Sequence, residues 1–125
     1  LILQGIRMSY DLNFWKYKPS VSLDHEATYE SLCEGREVEG LETLPIEKML
    51  ARLTVLFADG WVQLDELNWE APSRGAFQIS TTPQLFRVDC YGMNGEDMNR
   101  FIDLGTEFGC PLYDPQIRTR FDGKN

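Results

Sequence analysis

The chain has one histidine, His25, and three cysteines, Cys33, Cys90 and Cys110, with no CxxC spacing among them. An odd, scattered set of thiols argues against a disulfide scaffold or a zinc site, so reduced and mostly buried thiols are expected. His25 stands beside Asp24 in the first turn of a polar helix and reads as a surface residue rather than a general base. Cys110 follows a helix C-terminus, whose negative dipole end disfavours a thiolate nucleophile. No apolar run approaches the roughly 20 residues of a membrane helix, and residues 1–7 lack the basic-then-apolar order of a signal peptide. The glycines are isolated, which excludes a phosphate loop and a dinucleotide fingerprint. Asp65, Glu66 and Glu70 lie close together but lack the calcium-hand pattern, so neither metal nor cofactor is expected. Basic residues are few and scattered, which argues against nucleic acid as a ligand.

What the chain has in excess is negative charge. Twenty acidic residues stand against twelve basic ones, a net charge of −8. From Asp24 to Glu47 there are eight carboxylates (Asp24, Glu26, Glu30, Glu34, Glu37, Glu39, Glu42, Glu47) and one guanidinium, Arg36; eight against one leaves −7 in that stretch alone. Such a run keeps a domain soluble by itself. It equally suits a surface that meets a basic protein.

At 125 residues the chain is long enough to bury one core without staples. Met8 reads as an initiator, which makes residues 1–7 an extension expected to lack order and residues 8–125 a single α+β domain. Ser9–Tyr17 alternates with period two and predicts a first strand, ended by Pro19. Ser22 or Asp24 caps a first helix carrying Tyr29, Leu32 and Cys33, and Gly35 stops it. Glu34–Glu42 then reads as an exposed acidic connection. Leu44–Ala58 keeps helical spacing through Ile46, Met49, Leu50, Leu53, Leu56 and Phe57 up to Asp59-Gly60. Trp61–Leu67 fits a short strand or an ordered loop equally, and Asn68–Pro72 reads as loop. Gly75–Ser80 and Leu85–Tyr91 form a hairpin, with Pro83 in its turn. Asn94 caps a third helix, with Asp97 at the capping-box position and Met93 stapling to Met98. Cys110–Tyr113 is a last strand and Ile117–Phe121 a short return.

This order predicts a ferredoxin-like split βαβ arrangement. A four-stranded, mainly antiparallel sheet would carry three helices on one face. The first strand would lie beside the hairpin's second strand, with the last strand on its other side. Phe14, Leu53, Phe57, Phe86, Val88, Phe101 and Ile102 are the expected core.

Met8-Ser9-Tyr10-Asp11-Leu12, followed by Phe14-Trp15, together with Cys110–Gln116, resembles a family of small bacterial proteins that begin M-S-Y-D-L and end in a C-Y-D-P-Q-like strand. Members of this kind are similar to immunity proteins of bacterial toxin systems. The resemblance implies a cytoplasmic, non-enzymatic protein that neutralises a basic toxin domain by direct contact. The residues expected to meet that partner are Glu34, Glu37, Glu39 and Glu42 in the acidic connection, and Asp65, Glu66, Trp69 and Glu70 in the later loop. Trp61, directly after a helix stop, is expected to cover the core's edge; Trp69 fits either that role or an aromatic anchor for a partner. Two further readings stand beside this one. One is a small-ligand protein or enzyme with a pocket near Tyr113 and Asp114; the other is a homo-oligomeric accessory protein.

Overall fold

Strand β1 (Ser9–Phe14) buries Tyr10, Leu12 and Phe14 on one face, while Asp11 and Asn13 point to the other. That is the period-two pattern read from its side chains. The computed structural model describes residues 9–122, so the expected extension at 1–7 lies outside the described residues. After β1 come α1 (His25–Cys33), α2 (Ile46–Leu56), β2 (Val62–Asp65), β3 (Asn68–Ala71), β4 (Gly75–Thr82), β5 (Leu85–Tyr91), α3 (Gly95–Glu107), β6 (Leu112–Asp114) and β7 (Thr119–Arg120).

Among the described residues the fold is α+β with three helices, but the sheet is not the four-stranded ferredoxin-like one: seven strands pair antiparallel throughout, in the order β2-β3-β4-β5-β1-β6-β7. The difference comes from the segment between α2 and β4. Trp61–Pro72 holds two strands, paired as Val62↔Glu70 and Gln63↔Trp69, and they extend the sheet outward from β4 through Trp69↔Phe77. The placement of β1 is as expected, between β5 (Leu12↔Val88) and β6 (Asn13↔Tyr113). Its direction is not that of the split βαβ unit. A ferredoxin-like first strand runs parallel to the hairpin strand beside it, whereas β1 runs antiparallel to β5.

Nor do the helices share one face. α2 and α3 cover the face that carries Leu12, Phe14, Phe77, Ile79, Phe86 and Val88, with Met49, Leu53, Phe57, Met98, Phe101 and Leu104 packed against them. α1 lies on the other face, where Leu32 joins Trp15, Leu41, Leu85 and Tyr113 in a second cluster. Tyr29 of α1 packs on Tyr113 at 5.3 Å. Of the expected core, Ile102 alone is half-buried. Each large apolar side chain fully removed from water contributes about 1.5–3 kcal/mol, which makes the α2/α3 side the principal source of stability.

The caps follow the sequence. The Asp24 carboxylate accepts from the Ala27 N–H at 2.8 Å and opens α1; Asn94 accepts from the Asp97 N–H at 2.7 Å and opens α3. Asp97 itself does not close a capping box. It is buried, and its carboxylate accepts from Arg74 at 2.8 Å and lies 3.4 Å from Arg100. Arg100 also reaches Asp59 at 2.6 Å and the Leu56 carbonyl at 2.9 Å. This clasp joins the end of α2, the β3–β4 turn and the start of α3.

Candidate functional site

The acidic connection between α1 and α2 is exposed but not loose. Gln84, in the β4–β5 turn, is buried and uses its whole amide on it: Oε1 accepts from the Val38 N–H at 2.8 Å, and Nε2 donates to the Val38 carbonyl at 2.9 Å. The Lys18 N–H donates to the Gly40 carbonyl, the Glu42 N–H to the Lys16 carbonyl and the Leu44 N–H to the Pro83 carbonyl. Leu41 is buried and bridges to Tyr17. The segment is thus seated on β1's extension and the β4–β5 turn, with Glu34, Glu37 and Glu39 exposed. Glu34 pairs with Arg36, and half-buried Glu42 with Lys16 at 3.3 Å. Glu37 and Glu39 face a shallow cavity of about 320 Å³ shared with Lys18, Thr43 and Gln84.

The second group of expected residues divides. Asp65 and Glu66 are exposed at the turn of the β2–β3 hairpin. The Asp65 carboxylate accepts from the Leu67 N–H at 2.8 Å and from the Asn68 amide at 2.9 Å. Those bonds hold its carboxyl below the usual range, the Leu67 N–H first. Trp69 is no exposed anchor: it is 3% exposed, and its ring stacks on Phe77 at 5.1 Å. A strand side chain facing α2 is covered by the helix, whatever its polar neighbours in sequence. Glu70 is exposed and, next to Trp69 in β3, faces away from α2.

The topology brings the two acidic turns to the same end of the sheet. The Ile79 N–H donates to the Leu67 carbonyl, which sets the β2–β3 turn beside the end of β4 that leads to Gln84. Glu47, in the first turn of α2, lies between them; it lines a groove of about 330 Å³ with Leu50, Gln63, Glu66 and Trp69. Glu34, Glu37, Glu39, Glu42, Glu47, Asp65 and Glu66 therefore rim one end, partly offset by Lys16, Lys18, Arg36 and Lys48. Sequence reasoning did not place Glu47 or Gln84 in the site. Glu47 reads as the ordinary acid of a helix's first turn, and Gln84 as a turn residue.

Other candidate chemistry sits elsewhere. Tyr113 and Asp114 are 1% and 3% exposed, and the Asp114 carboxylate accepts from the Gln116 N–H at 2.9 Å, so a ligand would have to displace protein to reach them. His25 is half-buried rather than free at the surface, with Nδ1 2.8 Å from the Tyr17 hydroxyl; burial and then Arg120 lower its basicity. Cys90 and Cys110 are buried and Cys33 is exposed. Burial pushes the Cys110 thiol up to about 11. On the α1 face Asp11 and Asp89 flank Arg87 at 3.1 and 3.0 Å, and burial, aided by a hydrogen bond with Asp89, raises the Asp11 carboxyl to about 6. Among the described residues no group of three or more His, Cys, Asp or Glu is arranged to hold a metal ion, and no helix is long and apolar enough to cross a membrane. No family model matches the chain, and neither the curated proteins nor the solved structures contain a match to it.

Proposed function

We propose that the protein is a binding module that captures a basic protein partner at its acidic end, in the manner of an immunity protein neutralising a toxin domain. The observation that carries this reading is the seating of Glu37 and Glu39. Both are exposed on a segment held by the paired hydrogen bonds of Gln84, so their carboxylates are presented without a large ordering cost. Glu47, Asp65 and Glu66 extend the same field across the end of the sheet. A concentrated negative field raises association rates with a cationic surface, and rapid capture is what neutralising a toxin requires.

The test begins with a tagged pull-down from the native cell at low salt, followed by identification of the retained protein. Against that partner, Glu37→Lys combined with Glu39→Lys should slow association about tenfold or more and flatten its salt dependence, with dissociation little changed. Retention of an acidic partner, or wild-type association kinetics in the double variant, would overturn the reading.

A further inference from the structure

We infer that the outer strand β2 is a docking edge, on which an extended basic segment of the partner protein adds as an eighth strand. The inference rests on the acidic-binding reading for the partner's charge, while the free edge is its own observation. Among the described residues β2 ends the sheet on one side, pairing with β3 alone, and all four of its residues are exposed. Val62 and Leu64 are 54% and 57% exposed, two neighbouring apolar side chains on the outer strand left in solvent. Edge strands are normally blunted by lysine, proline or a covering element. The sequence Val62-Gln63-Leu64-Asp65 holds neither residue. The opposite edge differs: β7 has two residues, and one of them, Arg120, is buried.

An edge without lysine or proline offers main-chain donors and acceptors to an extended chain, and alternate side chains then set its specificity. Charge selects among the occupants. Asp65 and Glu66 close the hairpin at one end of β2, and Glu70 pairs across from Val62. A second copy of the chain would bring these carboxylates against their own kind, on a molecule already at −8. A strand that alternates apolar residues with lysine or arginine covers Val62 and Leu64 on one face and sets its cations on the face of Gln63, toward Glu66 and Glu47. The register shift between Gln63 and Asp65 bends β2 near its turn, which keeps the added strand short.

The probe is a synthetic peptide of about ten residues alternating valine and lysine, with a twin N-methylated at alternate amides so that one edge cannot pair. Binding is followed by fluorescence anisotropy and by hydrogen exchange of the β2 amides. The expected result is binding that slows exchange at Val62–Asp65 and weakens about tenfold or more for Leu64→Lys and for the methylated twin. Equal binding of the twin, or protection confined to Glu34–Glu42, would overturn strand addition while leaving the acidic-end reading standing. Concentration-dependent dimerisation abolished by Leu64→Lys would overturn the choice of occupant. Wild-type peptide binding in the Glu37→Lys, Glu39→Lys double variant would support the edge even where that variant keeps its native partner.

Discussion

At the scale of single residues, burial decides which titratable groups respond to solvent. Cys33 is exposed, whereas Cys90 and Cys110 are enclosed and their thiols are raised chiefly by burial. A thiol-reactive maleimide at neutral pH should therefore modify one site on the folded protein and three after denaturation, with peptide mapping assigning the first to Cys33. Fast labelling of Cys110 in the native state would contradict its placement. Asp11 gives the pH dependence. Its carboxyl titrates at about 6 when folded against an ordinary 3.8, because burial, then the bond with Asp89, favour the protonated form. The folded state holds that proton more tightly, so this group makes stability fall as pH rises from 3.8 to about 6. Asp11→Asn keeps a neutral side chain at all pH and should remove that component. Urea midpoints measured across the window check it, and an unchanged slope would show that Asp11 does not titrate there.

At the scale of elements, close packing overrides local preference. Gly105 lies inside α3, where glycine is about 1 kcal/mol worse than alanine. A Cβ placed there would come within 2.5 Å of the Phe14 ring and 2.6 Å of the Cys110 carbonyl oxygen. Gly105→Ala should therefore destabilise by about 1–3 kcal/mol despite its better helix propensity, as read from urea unfolding. A stabilised variant would mean that α3 rides higher on β1. Trp69 teaches the same lesson in the sheet. Between Asn68 and Glu70 it fits a partner anchor as well as a cover for the core, and its partner Phe77 and the cover of α2 make it core. Trp69→Ala should cost about 3–5 kcal/mol of stability rather than speed a partner's release. Near-wild-type unfolding in that variant would return Trp69 to the surface.

At the scale of the whole molecule, the acidic end is a stability cost that binding would repay. Like charges gathered on one end repel in the folded state and separate in the unfolded chain. Glu37→Lys or Glu39→Lys should thus raise the unfolding free energy by roughly a few tenths of a kcal/mol, read as a slightly higher urea midpoint, and added salt should erase the gain. A midpoint lowered at every salt concentration would place these carboxylates in structural contacts instead. The sequence by itself determined the three helices, the cap at Asp24 to within two candidates and that at Asn94 outright, the neighbours of β1 and most of the core, because period, capping and turn chemistry act over a few residues. It also determined where the charge lies along the chain. Only the tertiary structure decided that Val62–Asp65 and Asn68–Ala71 are strands, that α1 lies opposite α2 and α3, and that Glu47, Asp65 and Glu66 join Glu37 and Glu39 at one end. Short strands of mixed polarity carry little period of their own, and what stabilises them is a neighbour supplied by a distant part of the chain.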